Sequence, residues 1–199
     1  MAKLTIDDIS DLRAYERERA EFRRHVIDLK KLRRVHVGPV ITLVFENRDT
    51  IRFQIQEMAR VEKLISDEAI QGELRAYNPL IPEPGSLSAT LFIELTSDAE
   101  LREWLPRLVG IEFTAELHIG GPDSTTTVRC TPDEEHEKLL TSDEITSSVH
   151  YVRWDLTPGQ VDAFVAADTV RLAFDHAEYR HETELTADTR AELLADLRG

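Results

Sequence analysis

The feature that most constrains the fold is a set of short apolar runs with period two, joined in pairs by polar turns. VHVGPVITLVF (35–45) and TIRFQI (50–55) flank the turn ENRD, and FTAELHI (113–119) and TTTVRC (125–130) flank GGPDS. Such pairs are predicted to be β-hairpins. SATLFIEL (88–95), SVHYVRWDL (148–156) and TVRLAF (169–174) read as further strands. Hairpins impose antiparallel pairing, and helical segments separate the strands. The predicted class is therefore α+β: a mostly antiparallel sheet with two hairpins, packed against helices and preceded by an N-terminal helical extension.

The helical punctuation is clear. Thr5 with Asp8 forms a capping box ahead of Ile6, Ile9 and Leu12. Tyr15, Phe22, Val26 and Leu29 then carry a helical stripe to about Arg34, with a break near Ser10–Asp11. Residues 1–34 are read as the extension and 35–199 as the α+β domain. Two helical pieces, about 56–65 and 67–77, end at the rigid loop NPLIPEPG. Ser97 and Glu100 cap a helix running to about Val109 and stopped by Gly110. Thr157 caps another with Pro158 at its first position, and a last helix spans about 187–197. PDEEHEKLLTSDE (132–144) is an acidic connector.

Charge narrows the function classes. Residues 1–34 hold ten Lys/Arg against seven Asp/Glu, and residues 35–199 hold fourteen against thirty-one, giving +3 and −17. Such a body repels nucleic acid, where phosphate contacts dominate affinity, and only RRHVIDLKKLRR (23–34) would attract a polyanion. No apolar run is long enough for a membrane span or a signal peptide, so the cytoplasm is the expected compartment. Cys130 is the single cysteine, which excludes an intramolecular disulfide and a self-contained iron–sulfur site.

No strong catalytic motif is present, so candidate residues rest on placement. If residues 50–55 form a strand, Leu43 faces Arg52 and Ile41 faces Gln54, placing two polar side chains on an apolar face. Glu94 shares a side with Phe92 in its own strand. A buried guanidinium needs a carboxylate, and Glu94, Glu57 or Glu62 is the expected partner of Arg52. Gln56, Glu57 and Arg60 extend this polar cluster into the following helix. His150 shares a strand face with Val152, Trp154 and Leu156, and His176 follows Val170, Leu172 and Phe174. Their strands are joined by one helix and expected to be parallel, which sets the imidazoles roughly 20 Å apart and argues against a shared metal. His118 is read as solvated beside Glu116. Asp133-x-x-His136 and Glu178-x-x-His181 match half of a di-iron carboxylate motif, but lie in a loop and past a strand rather than on bundle helices.

TIRFQIQEMARVEKL, AYNPLIP (76–82), SSVHYVRW (147–154), DHAEYR (175–180) and the N-terminal KLTIDDISDL together resemble an uncharacterised bacterial family of unknown function. Its members are often encoded beside rubrerythrin-like proteins and an iron–sulfur oxidoreductase related to heterodisulfide reductase subunits. The resemblance implies a redox or peroxide-stress setting and no mechanism. The leading expectation is an accessory protein that binds an iron–sulfur oxidoreductase or rubrerythrin-like partner, with no cofactor of its own. Its candidate surfaces are the acidic body and the cluster Arg52, Gln54, Gln56, Glu57, Arg60 with Glu94. The alternative is a metal-binding protein or enzyme in which Glu57 is base or ligand, Arg52 holds an anion and His150 joins them.

Overall fold

The computed structural model describes residues 2–121, 124–133 and 145–199. A single 3-10 turn at Ile6–Asp8 carries the Thr5–Asp8 capping box, and Asp11 then caps helix α1 (Leu12–Arg33) by accepting from Ala14 N at 2.8 Å. The chain continues through β1 (Arg34–Val37), β2 (Ile41–Phe45), α2 (Arg48–Glu62), α3 (Asp67–Tyr77), β3 (Ser86–Ile93) and α4 (Asp98–Arg107). It then forms β4 (Ala115–Gly121), β5 (Ser124–Arg129), β6 (Thr131–Pro132), β7 (Val149–Asp155), α5 (Pro158–Ala166), β8 (Val170–His176), β9 (Tyr179–Glu184) and α6 (Ala187–Arg198). The class is α+β, and every strand pair is antiparallel.

The strands form two sheets, ordered β1-β2-β3-β7-β6 and β5-β4-β8-β9. Their inner faces share one core with Leu43, Phe45, Leu91 and Trp154 from the first sheet and Leu117, Leu172 and Phe174 from the second. Trp154 Nε1 donates to Ala115 O at 3.3 Å, bridging the sheets through the middle. The other face of the five-stranded sheet is covered by the N-terminal segment, α2 and α3, whose Leu4, Ile51, Ile55, Leu74 and Leu80 make a second core with Tyr151 against it. At the edge, Tyr179 donates to Val37 O at 2.6 Å and accepts from Val40 N and Ile41 N, tying β9 to the β1–β2 turn. Gly38 occupies that turn with φ +72°, and a Cβ there would lie 2.5 Å from His181 and the Tyr179 hydroxyl. Only glycine satisfies both the backbone and the space.

The first predicted hairpin is corrected. Its real partner strands are β1 and β2 around residues 38–40, and TIRFQI is the first half of α2. Asn47 accepts from Asp49 N and Thr50 N while Thr50 Oγ1 accepts from Asn47 N, so ENRD is a helix cap rather than a strand turn. Ile51 and Ile55 alternate with polar neighbours as a strand would. Ile51, Ile55 and Ala59 also follow helical spacing, and these are the buried apolar positions of the helix. The predicted β4–β5 hairpin is present, with residues 122–123 of its turn outside the described set. The strands bearing His150 and His176 lie in different sheets rather than parallel in one, because α5 crosses between the layers.

Candidate functional site

The helical start of the 50–64 stretch turns its polar side chains toward α1 rather than across a sheet. Glu57 accepts from Tyr15 Oη at 2.7 Å and from Arg19 Nε and Nη2 at 2.7 and 2.9 Å, a two-point fork. Arg60 approaches Glu57 at 3.6 Å and Glu16 at 3.7 Å. Gln56, fully buried, receives Ser10 N at 2.7 Å and donates to Ser10 O. Arg52 donates to Asp8 O at 2.8 Å, reaches Glu18 at 3.4 Å and lies 4.8 Å over the Phe22 ring. The expected pairing of Arg52 with Glu94, Glu57 or Glu62 is therefore replaced by contacts with the N-terminal segment. The side chain of Gln54 is half-buried and makes no hydrogen bond among the described residues. The cluster is a clamp that fastens α1 and the turn before it onto α2.

The fork also fixes an electrostatic state. The Arg19 hydrogen bonds hold the Glu57 carboxyl at about 2, against the opposing effect of burial and with help from Tyr15. A carboxyl depressed below its ordinary value stabilises the fold above about pH 4.5, and the contribution fades as pH falls toward 2. Glu57→Gln is expected to lower stability by about 2–3 kcal/mol at pH 7, with the gap to wild type closing across that window. Urea unfolding of both proteins from pH 7 to pH 2.5 measures it, and a gap independent of pH would deny the fork its charge.

Glu94 and His150 lie elsewhere. Glu94 follows β3 in an exposed network, accepting from Thr42 Oγ1 at 2.6 Å and from Arg34 at 3.2 Å. His150 has no exposed surface and points into the core between the sheets, opposite Leu91. Its Nε2 lies 2.9 Å from Thr146 Oγ1 and 2.9 Å from Ser147 O. The five-stranded sheet thus separates His150 from Glu57 and Arg52, and the three do not share a site. His150→Gln is expected to cost about 1–3 kcal/mol by unpairing these neighbours while leaving partner binding of the folded molecule unchanged. A melting curve beside a binding assay checks this, and a stable variant that has lost binding would refute it. Cys130 is buried too, and burial pushes its thiol up to about 12, so it is no thiolate at neutral pH.

His118 is half-buried and bound to Glu116 at 2.9 Å rather than solvated, and His176 meets Val109 O at 3.1 Å. Glu178 pairs with Arg107 and His181 packs on Tyr179, so that motif holds no ligand pair, while His136 falls outside the described residues. No group of three or more His, Cys, Asp or Glu side chains able to hold a metal occurs among the described residues. No helix among them is long and apolar enough to cross a membrane.

Among the concavities on the described residues are two at the N-terminal segment and the helix-covered sheet face. One is a groove of about 330 Å³ where the N-terminal segment meets the α2–α3 turn, lined by Ile6, Ile9, Leu12, Leu64, Ile65 and Ile70 with Asp11, Arg13 and Asp67 at its rim. Ile65 is 87% exposed there. The other is a cleft of about 280 Å³ on the helix-covered face of the five-stranded sheet, roofed by Pro79 and Leu80 and floored by Ser88, Tyr151 and Arg153.

The family model described as "Protein of unknown function (DUF3501)" matches residues 3–197. The chain belongs to the DUF3501 family. Among solved structures, a crystal structure at 1.90 Å of a novel protein of unknown function from Burkholderia pseudomallei K96243 is 36% identical, with a TM-score of 0.89. The similarity covers 98% of this chain and all of that one. No curated protein matches. Within this DUF3501 chain, two stretches that carry the family resemblance, AYNPLIP and SSVHYVRW, meet at the cleft, which sequence reasoning missed. Its polar residues alternate along β3 and β7 with core residues, a pattern that marks a polar strand face but not what covers it.

Proposed function

We propose that this DUF3501 protein is an accessory factor of a redox or peroxide-stress system that docks an iron–sulfur oxidoreductase or a rubrerythrin-like protein. The observation that carries the reading is the groove at the α2–α3 turn, where Ile65 stands exposed within the apolar lining. Soluble proteins rarely leave large aliphatic side chains grouped in the open, and such patches mark interaction sites. Around it, Asp11, Glu62, Asp67 and Glu68 outnumber Arg13 and Lys63, and residues 35–199 carry −17. The complementary partner surface has an apolar side chain that enters the groove, flanked by Lys or Arg. The clamp supports this by holding the N-terminal wall of the groove rigidly on α2. The redox context comes from the family resemblance.

Binding steered by such charge weakens as salt rises, because screening shortens to about 8 Å at physiological ionic strength. The purified protein is therefore expected to bind one of the two partners more tightly in 20 mM than in 500 mM salt. Titration calorimetry at both concentrations checks it, and the absence of binding to either partner at low salt would remove the reading.

A further inference from the structure

Helix α1 sorts its solvent-facing side chains by charge. Tyr15, Val26 and Arg33 mark its buried face. At about 3.6 residues per turn, Arg13, Arg17, Arg24 and Lys31 lie along the ridge opposite, and Glu21 and Asp28 fall to one side of it. On the other side stand Ala20 and Ile27, both exposed, the isoleucine by 40%. The helical neighbours of Ile27 one turn away are all cations, Arg23 and Arg24 before it and Lys30 and Lys31 after it. Lys31 pairs with Asp28 at 2.7 Å, while the side chains of Arg23, Arg24 and Lys30 form no hydrogen bond or ion pair among the described residues.

The groove at the α2–α3 turn is the inverse of this surface, aliphatic inside, with Asp11 and Asp67 in its wall and Glu62 and Glu68 beside them in the chain. Arg13, Ala20 and Ile27 recur at heptad spacing along one side of α1. Arg13 lines the groove, and Ile27 lies about 21 Å farther along the helix. Ala20 stands midway, and its single methyl group lets a second helix approach to the roughly 8–10 Å of packed helices. A two-fold axis at that point brings each Ile27 to the other copy's groove and closes the contact, so that it does not propagate. One isoleucine among four cations is too narrow an apolar face for a lipid surface. A polyanion leaves the isoleucine unused and meets a body of −17 over residues 35–199.

We propose that the groove is filled in the free protein by Ile27 of a second copy, in an antiparallel pairing of two α1 helices about Ala20, and that a docking partner displaces that copy. Ile27 enters the aliphatic lining beside Ile65, and Arg23, Arg24, Lys30 and Lys31 meet the acidic rim. Two such knobs make a small interface of the transient class, so monomer and dimer exchange. The dimer follows from knob and groove alone, whereas its displacement rests on the groove being the docking site proposed above.

The test is sedimentation equilibrium of the purified full chain over about 10 µM to 1 mM. Wild type is expected to show a reversible monomer–dimer equilibrium that high salt weakens. Ile27→Asp and Ile65→Asp, both at exposed positions, are each expected to weaken it about tenfold or more with an unchanged circular dichroism spectrum. Contact between the two positions is read by mixing an Ile27→Cys variant with an Ile65→Cys variant under mild oxidation, the native Cys130 being buried. The mixture is expected to form a disulfide-linked dimer, and each variant alone to stay largely uncrosslinked. A wild type that stays monomeric or grows beyond a dimer, a dimer that Ile27→Asp leaves unchanged, or cross-linking no greater in the mixture than in either variant alone would each overturn the assignment. No redox partner enters these measurements, so a monomer leaves docking at the groove standing, and failed docking leaves the dimer standing.

Discussion

Replacing Arg33 with methionine is expected to lower stability by about 3–5 kcal/mol at neutral pH, the cost of removing one member of a buried ion pair. The side chain is 1% exposed although it closes α1, a helix whose other cations mostly face solvent. Its guanidinium bonds Asp196 and Glu192 of α6 and donates to Phe45 O at 3.0 Å and Glu46 O at 3.2 Å. One side chain thus joins the N-terminal helix, the end of β2 and the C-terminal helix. Burial raises the Asp196 carboxyl to about 6, against the pull of Arg33. Without the guanidinium that carboxyl rises further, so the folded variant takes up a proton that the unfolded chain releases near its ordinary value of about 3.9. The loss is therefore largest above the folded value and shrinks as pH falls toward 4, so the gap to wild type closes with falling pH as at Glu57, although the Asp196 carboxyl is shifted in the other direction. Arg33→Met combined with Asp196→Leu is expected to recover most of it, since an apolar pair of similar volume leaves no charge stranded. Urea unfolding at pH 7.5 and pH 5 measures both effects. A single variant as stable as wild type at pH 7.5 would show that the three elements are held by packing alone.

The parts of the fold that were legible in the sequence are those whose local signals agree. Ser97–Glu100 and Thr157–Pro158 start helices where expected and Thr5–Asp8 starts a 3-10 turn, because a cap is a contact between neighbours in sequence. The GGPDS hairpin and the alternation of β3, β7 and β8 were equally plain. Residues 50–55 misled because Ile51, Phe53 and Ile55 fit period two over six residues, too short a window to separate strand from helix when the cap at Asn47–Thr50 is read as a turn. That one error moved the whole candidate cluster. As a strand, Arg52 and Gln54 share a sheet face. As a helix, Arg52, Gln56, Glu57 and Arg60 meet Asp8, Ser10, Tyr15, Glu16 and Arg19, partners about 40 residues earlier that no local pattern reveals. β9 was missed for a related reason. YRHETE carries one buried aromatic, Tyr179, on an edge strand whose other side chains are mostly exposed, so it lacks apolar alternation. Glu46 gave no signal as a buried carboxylate, because its environment comes from Thr90 and Tyr151, more than 40 residues away.

The groove at the α2–α3 turn is where the largest functional effect is expected. Ile65 follows Lys63, whose left-handed φ of 56° ends α2 and turns the chain outward, so the side chain is presented rather than packed. A residue 87% exposed contributes little to the fold, and Ile65→Asp is expected to leave the melting temperature within error of wild type. In a docked complex the same side chain lies at the centre of the patch, where loss of an apolar anchor costs 2 kcal/mol or more, about a 30-fold weakening. The aspartate attracts the flanking Lys and Arg, but a carboxylate desolvated where the partner's apolar side chain enters loses more than that attraction returns. The deciding measurement is titration calorimetry of wild type and Ile65→Asp against the two proposed partners, an iron–sulfur oxidoreductase and a rubrerythrin-like protein. At low salt, wild type is expected to bind one of them and the folded variant at least 30-fold more weakly. Equal binding by the two proteins, or binding by neither, would contradict the account of this surface as a docking site.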